Sequence, residues 1–244
     1  MNNIKIVADL IKNARYGIVF TGAGVSVESG IAPFTGNGGL WNRYDPKFIE
    51  ISFFYSYPRE SWREMKKIFF TDMNQAHPNK AHEVIARLEK EGWIKGVITQ
   101  NIDGLHQRAG SNNVQEFHGT IYSLKCVGCA KKYSLNEVDL EQNPPVCSCG
   151  AVLKPEFVFY GEGIPVKAYE RSLEMAQQAD LVLIVGTAGQ VMPACSLPVL
   201  AKEHGAKIVE VNPLVSAYTD RITDFYFPQK ATEFFADLEK ELEG

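Results

Sequence analysis

Short strand-like segments alternate with amphipathic segments along the chain, and this pattern predicts a parallel α/β sheet. Predicted strands lie at residues 18–20, 97–98, 114–117, 181–185 and 207–211. The most apolar of them suit burial on both faces of a sheet. Helices are predicted around residues 3–14, 79–91, 165–178, 193–204 and 230–242. Strands and helices in alternation are typical of a doubly wound fold.

The first predicted strand ends in a glycine turn, residues 21–24, and a helix is predicted to begin directly after it. Strand, glycine turn and helix start form the layout that holds the phosphates of a dinucleotide in Rossmann-like folds. Gly22 and Gly24 are followed by Gly30, so the strict dehydrogenase spacing is absent. A plain structural turn is therefore an open alternative. Residues 31–41 read either as a lid that orders on a ligand or as an ordinary surface loop.

A segment rich in aromatic residues, 42–75, interrupts the α/β rhythm. Pro46 and Pro58 divide it into short helices. We expect a small helical insertion in which most of the aromatic rings pack into a local apolar cluster.

Polar side chains follow the second predicted strand at residues 99–106, where open α/β sheets place their ligands. Two later strand ends also carry turn residues, at 186–189 and at 212–213. His118 stands at the end of a further strand. Histidine titrates near neutral pH, which suits a general base, although a single histidine is as a rule structural.

Four of the five cysteines crowd into one segment, as Cys126-x-x-Cys129 and Cys147-x-Cys149. Two close pairs at such a separation predict a zinc-ribbon-like site, with two reduced pairs or a disulfide as the alternative. Four protein thiolates leave no open coordination position, so the metal is expected to be structural. The predicted module spans 120–156. Cys195 stands apart and is expected to be a small buried residue.

Composition and charge limit the classes of protein to which this chain can belong. The chain has 244 residues, 45% hydrophobic content and a net charge of −4, as expected for one large domain or a domain with a small module. The acidic balance gives no reason to expect direct nucleic-acid binding. No apolar run has the length of a signal peptide or a membrane helix. A cytoplasmic monomer without membrane contact is the default expectation.

Taken in order, these motifs resemble those of the sirtuins, the NAD-dependent protein-lysine deacylases. The resemblance runs from about residue 16 to 232. Within the family, the chain is similar to the minimal bacterial and archaeal form. It rests on residues 22–26 (GAGVS), 28–31 (ESGI), 99–103 (TQNID), 117–119 (FHG), the cysteine pairs, 159–162 (FYGE), 186–187 (GT) and Asn212.

The resemblance implies an NAD-binding domain made of residues 1–35, 76–119 and 157–244. A small domain would comprise the helical insertion, 36–75, and the zinc module, 120–156. NAD and an acyl-lysine peptide would meet between the two. The implied cofactor-binding residues are Gly22, Ala23, Gly24, Phe34, Thr35, Gln100, Asn101, Ile102, Asp103, His118, Gly186, Thr187, Ala188, Asn212, Pro213 and Ala231.

The implied catalytic residues are His118, Asn101 and Asp103. Cleavage of the nicotinamide bond leaves positive charge at the ribose carbon, and the weakly nucleophilic acyl oxygen must be held in line with it. Asn101 and Asp103 suit the holding of the amide and a water, and His118 suits activation of a ribose hydroxyl. The peptide would add as a strand beside Phe159, Gly161, Glu162, Gly163 and Val191, although Glu162 suits a solvated loop charge equally well.

Three departures from the family pattern bear on function. Thr35 replaces an arginine, which predicts weaker NAD binding or slower turnover, and Ala188 replaces a hydroxyl donor. Gly189 and Gln190 stand where the family has bulkier apolar residues.

Desuccinylating sirtuins carry a tyrosine and an arginine three and six residues after a tryptophan. Counted from Trp62, those positions hold Met65 and Ile68, so an apolar acyl group is expected over succinyl.

Two other activities compete with deacylation. A mono-ADP-ribosyltransferase or NAD glycohydrolase needs no base at the ribose hydroxyl, and the presence of His118 argues against it. A non-catalytic NAD or ADP-ribose sensor would lack Asn101, Asp103 and His118, which are all present. The other histidines have no comparable context and are expected to be structural or exposed: His77, His82, His106 and His204.

Overall fold

The computed structural model describes residues 3–34, 38–70 and 72–244. The predicted role of Thr35, and the middle of the predicted lid, therefore lie outside the described residues. The strands are β1 Gly17–Thr21, β2 Ile94–Thr99, β3 Val114–Glu116, β4 Ser123–Cys126, β5 Lys132–Ser134, β6 Leu153–Pro155, β7 Leu181–Val185, β8 Lys207–Val211 and β9 Phe225–Phe227. The α-helices are α1 Asn3–Asn13, α2 Ile51–Ser56, α3 Pro58–Met65, α4 Asp72–Gln75, α5 Lys80–Lys90, α6 Leu105–Arg108, α7 Val166–Gln178, α8 Ser196–Glu203 and α9 Ala231–Glu243.

The main sheet has six parallel strands in the order β3-β2-β1-β7-β8-β9. This order confirms the predicted doubly wound, Rossmann-like fold. The chain leaves β1 in one direction toward β2 and resumes on the other side of β1 with β7. The sheet therefore has a topological switch point between β1 and β7, which is where such folds bind ligands.

Side chains of β7 show how the sheet is buried on both faces. Leu181, Leu183 and Val185 pack with α1, α5 and α9 on one side. Val182 and Ile184 pack with α7 and α8 on the other. Successive residues of a strand point to opposite faces, so a run that is apolar throughout requires helices on both.

Most predicted elements are confirmed with small changes of boundary. Asn79 caps α5 as expected, because its Oδ1 accepts a hydrogen bond from the Ala81 N–H at 3.0 Å. The helix predicted from residue 193 begins only at Ser196. Strand β9 was not predicted, since three residues carry too little pattern to distinguish a strand from a loop.

A second, antiparallel sheet in the order β5-β4-β6 lies in the cysteine segment. The helical insertion packs against it, and the Trp62 indole N–H donates to the Leu153 carbonyl at 2.7 Å. Both belong to one apolar cluster that is separate from the two clusters of the main sheet. The division of the chain into two domains stays a prediction.

None of the helices within the described ranges is both long and apolar enough to cross a membrane.

Candidate active site

Two glycine loops meet at the switch point of the main sheet. The Gly24 N–H donates to the Gly186 carbonyl at 2.8 Å. A Cβ atom at Gly24 would lie 2.6 Å from the Gly186 Cα, and Gly186 has a φ of +63°. Only glycine at both positions allows this approach. The loops after β1 and β7 therefore form one continuous surface.

The segment after β1 is a 3₁₀ helix, Ala23–Ser29, which confirms the predicted helix start in a tighter form. Among the described residues, the Ala23 N–H has no protein acceptor, whereas those of Gly22 and Val25 are bonded within the protein. A free main-chain N–H beside two glycines suits a phosphate oxygen.

Asn101 and Asp103 lie together after β2 and share a partner, Ser26. The Ser26 hydroxyl donates to Asp103 Oδ2 at 2.7 Å, and Asn101 Nδ2 donates to Ser26 Oγ at 3.1 Å. The other oxygen of Asp103 accepts from the Leu105 N–H at 3.0 Å. Burial raises the pKa of Asp103, and these hydrogen bonds oppose the rise. The side chains of this triad are therefore held rigidly.

Gln100 joins the two halves of the sheet. Its Nε2 donates to Thr187 Oγ1 at 3.1 Å, across from β2 to the loop after β7. Asn212, after β8, donates from Nδ2 to the Thr187 carbonyl at 3.5 Å. The predicted residues Gln100, Thr187 and Asn212 thus meet around one loop. Ala188 and Pro213 are exposed beside it, and Ala231 is buried at the first turn of α9.

His118 lies after β3, with its ring half-buried. Its Nδ1 is 3.0 Å from the Gln100 carbonyl oxygen. Because a carbonyl only accepts, Nδ1 carries the proton and Nε2 keeps its lone pair. Burial lowers the pKa of His118, and the bond to Gln100 opposes this. The lowered pKa favours the neutral ring of His118 at pH 7, and Nε2 has no partner among the described residues, as a general base requires.

Other predicted residues lie at the border with the small sheet. Phe34 is half-buried, with its ring 5.3 Å from Trp41 and 6.3 Å from Phe69. Ile102 and Phe159 are buried in the same cluster. Exposed positions beyond Phe159 include Gly161 and Gly163, and Val191 is 53% exposed.

The four clustered cysteines bring their Sγ atoms within 4.8 Å of one another. Cys126 Sγ lies 3.5 Å from Cys149 Sγ, and Cys129 Sγ lies 3.6 Å from Cys147 Sγ. Tetrahedral zinc with Zn–S bonds of about 2.3 Å places its ligands about 3.8 Å apart. The donor set and its spacing therefore fit a structural Zn²⁺.

The family model for the Sir2 family matches residues 22–193, which include the glycine loop, the Asn101–Asp103 segment, His118 and all four clustered cysteines. The chain belongs to the Sir2 family.

Similar proteins extend this sirtuin assignment over nearly the whole chain. NAD-dependent protein deacylase 2 of Pyrobaculum aerophilum is 44% identical over 97% of this chain and 94% of its own. A solved structure described as Sir2-p53 peptide-NAD+ matches with a TM-score of 0.90 and 38% identity, covering 98% of each chain. Another, of Sir2Tm bound to a propionylated peptide, has a TM-score of 0.89 and 37% identity, covering 99% of this chain and 98% of that one.

Ser26 and Thr99 stand in the sequence motifs, but no role was predicted for their hydroxyls or for that of Thr21. Besides Ser26, Thr21 Oγ1 donates to Thr99 Oγ1 at 2.8 Å, and Thr99 Oγ1 accepts from the Asn101 N–H at 3.1 Å. Thr21 and Thr99 end β1 and β2, a position that signals a site once the strands are known to be neighbours.

Two further expectations concern Cys195 and the remaining histidines. Cys195 was expected to be buried, and this was wrong: it is half-buried, with Sγ 3.1 Å from Met192 Sδ. It precedes α8 in a turn that leaves one side open.

His82 and His106 are fully buried, with ring centroids 4.8 Å apart, and His77 and His204 are exposed. Both outcomes for the histidines agree with the expectation.

Proposed function

We propose that this sirtuin is an NAD-dependent protein-lysine deacylase. It cleaves nicotinamide from NAD, consumes one water and transfers the acyl group of an acyl-lysine peptide to ADP-ribose. The products are deacylated lysine, nicotinamide and O-acyl-ADP-ribose. The observation that carries the proposal is His118, whose protonated Nδ1 is fixed on the Gln100 carbonyl and whose Nε2 is left free.

NAD would occupy the surface formed by the two glycine loops. Ala23 offers a main-chain N–H to a phosphate, while Thr187 and Asn212 border the same surface. We assign the nicotinamide end to Asn101 and Asp103, because a buried carboxylate and amide pre-oriented by Ser26 can hold a polar ring substituent and a water. His118 would take the proton of a ribose hydroxyl, which makes that oxygen the nucleophile toward the acyl carbon.

The peptide would lie as an added strand between the loop at 161–163 and the loop at 190–192. Tyr160 already uses its N–H and carbonyl on Ile49 and Ile51. Gly161 and Gly163 are exposed. Main-chain pairing there gives affinity without a demand on peptide sequence.

The acyl group would be apolar. Met65 and Ile68, the positions that carry tyrosine and arginine in desuccinylating sirtuins, are both buried in the apolar cluster that contains Phe159. A succinyl carboxylate would lose its hydration in such surroundings without gaining a cationic partner at either position.

The zinc ion would hold the small sheet together without taking part in the reaction, since its four protein ligands close the coordination sphere. The thiols must stay reduced to bind it. We therefore propose the cytoplasm as the compartment, because thiols persist there.

One experiment separates this proposal from its competitors. The protein is incubated with NAD and an acetyl-lysine peptide, and the peptide mass and the ADP-ribose products are followed. Loss of one acetyl group with formation of O-acetyl-ADP-ribose supports deacylation. A gain of one ADP-ribosyl group, or free ADP-ribose with an unchanged peptide, supports transferase or glycohydrolase activity. Saturable NAD binding without turnover supports a sensor.

A further inference from the structure

Lys154 is a buried cation that the proposed reaction does not use. It lies on β6 of the small sheet and is 9% exposed. Among the residues that the structure describes, no other lysine or arginine is buried to this degree. Burying an ammonium group is costly unless it is paired and hydrogen-bonded. The surroundings of Lys154 therefore reveal what holds it there.

All three N–H bonds of the Lys154 ammonium have acceptors. Nζ lies 2.8 Å from Glu162 Oε2, 3.0 Å from the Pro155 carbonyl oxygen and 3.1 Å from the Phe157 carbonyl oxygen. Three acceptors require three protons, and only the charged form of lysine has them. Lys154 is thus a fully satisfied ammonium ion whose main partner is Glu162.

The same ammonium group lies on the ring of Phe159. Nζ is 3.9 Å from the ring centroid, close enough for a cation–π interaction in a desolvated site. Glu162 Oε2 also accepts from the Phe159 N–H at 2.8 Å. Lys154 therefore fixes the Phe159 side chain directly and its main chain through Glu162. The carboxylate of Glu162 is not the solvated loop charge that the sequence left open.

The segment that follows Phe159 is anchored on a second side. The Tyr160 N–H donates to the Ile49 carbonyl at 2.9 Å, and the Ile51 N–H donates to the Tyr160 carbonyl at 3.0 Å. Residues 159–163 are thus held by contacts with the helical insertion on one side and with β6 of the small sheet on the other. On the β6 side, Lys154 supplies the ion pair to Glu162 and the contact with the Phe159 ring.

We propose that Lys154 is a positioning residue for the acyl-lysine peptide. Its ammonium clamps Phe159 and Glu162 so that the loop at 159–163 keeps the shape that receives the substrate. This inference rests on the proposed function, since it concerns the peptide site of that reaction. It also implies a role for the zinc module in substrate binding, because Lys154 on β6 links the small sheet to the substrate loop.

A length-matched neutral variant, Lys154→Met, and a charge-conserving variant, Lys154→Arg, test the proposal together with Glu162→Gln. The control is Lys132→Met, which removes another lysine–glutamate pair of the same sheet, at 2.8 Å from Glu156 but on the surface. The measurements are the dissociation constant of a dye-labelled acetyl-lysine peptide by fluorescence anisotropy, the KM for NAD and the melting temperature.

Lys154→Met and Glu162→Gln are expected to weaken peptide binding roughly tenfold or more, because a displaced loop loses its alignment with the substrate. The KM for NAD stays within about twofold of wild type on the same argument. Lys154→Arg restores most of the affinity, and Lys132→Met changes nothing. If Lys154 were purely structural, Lys154→Met would instead lower the melting temperature and would affect peptide affinity and the KM for NAD to a similar extent.

Three results overturn the proposal. Peptide affinity is unchanged in Lys154→Met, or falls equally in Lys132→Met, or NAD is affected as strongly as the peptide. If Lys154→Met does not fold, Glu162→Gln decides by the same criteria. A wild-type protein that binds the peptide without turning it over sinks the deacylase proposal, while the binding comparison still decides the role of Lys154.

Discussion

The His118 ring donates its Nδ1 hydrogen to the Gln100 carbonyl oxygen at 3.0 Å. This one bond fixes the tautomer, points Nε2 away from the protein backbone and ties the base to a residue that also contacts Thr187 of the opposite loop. The base is thus positioned by the same residue that joins the two halves of the NAD surface.

We expect the deacylation rate to fall on the acid side as His118 is protonated. Burial lowers the pKa of His118 below the ordinary histidine value of about 6.5, so the active neutral form persists to a pH below that value. The measurement is the pH dependence of kcat/KM with an acetyl-lysine peptide. An acid limb above 6.5 would contradict the assignment.

Replacement of the base itself gives the complementary test. His118→Ala is expected to lower deacylation by roughly 10²- to 10⁴-fold, the usual contribution of a general base. The melting temperature should stay close to that of wild type, because the ring is half-buried and makes one protein hydrogen bond among the described contacts. His204→Ala, at an exposed position, is the matched control and should leave the rate unchanged.

Ser26→Ala tests the shared hydroxyl between Asn101 and Asp103. Removal of this donor leaves a buried carboxylate under-bonded, and we expect a loss of about 1–3 kcal/mol in unfolding free energy with a raised KM for NAD. Ser172→Ala is the control, since the buried Ser172 hydroxyl has no hydrogen-bond partner within the described part of the chain. Equal effects of the two substitutions on the KM for NAD would argue against the role of Ser26.

Zinc should be present at one ion per chain and should depend on the cluster. Cys147→Ser is expected to abolish most of the bound zinc and to lower the unfolding midpoint, because the thiolates hold the turns around the small sheet. Elemental analysis and denaturant unfolding measure the two effects. Cys195→Ser, outside the cluster, is expected to keep the full zinc content; loss of zinc in this variant would contradict the ligand set.

Stability should fall as the pH drops below neutrality. Burial lowers the pKa of His82 to about 4 and that of His106 well below 6.5, so the unfolded chain takes up protons that the folded chain does not. The unfolding free energy is then greatest above 6.5 and declines toward 4; the full shift of His82 alone corresponds to about 3 kcal/mol. His118 contributes in the same direction.

Denaturant unfolding at pH 7 and pH 5 measures this decline. His204→Gln should leave the difference between the two pH values intact, since His204 is exposed. An unfolding free energy that does not change between pH 7 and pH 5 would contradict the buried neutral histidines.

Acyl preference is tested on one peptide sequence carrying acetyl, propionyl or succinyl groups. The buried positions of Met65 and Ile68 predict faster turnover of the two apolar acyl groups, measured as kcat/KM. The unacylated peptide serves as the product control. Faster turnover of the succinyl peptide would overturn the prediction.

Much of the fold follows from local pattern. The apolar run at β7 requires burial on both faces, and the glycines after β1 and β7 mark the turns, so the strands and the nucleotide-binding edge are readable along the chain. The cysteine spacing likewise predicts the metal, because zinc ligation makes a strict local demand on residue type.

Hydrogen bonds between residues that are distant in the sequence cannot be predicted from the local pattern of residues. The bond of Ser26 to Asp103 spans 77 positions, and nothing near either residue specifies it. Lys154 shows the same limit: a lysine in a strand reads as exposed until the fold encloses it beside Phe159 and Glu162.

The fold class, the sirtuin motifs and the residue types of the site are predictable from the amino-acid sequence. The tautomer of His118, the shared hydroxyl of Ser26 and the inward direction of the Glu162 carboxylate become known only from the folded structure. Residue type and spacing constrain the backbone only locally. Hydrogen-bond partners and burial depend instead on which strand ends and loops the folded sheet brings together.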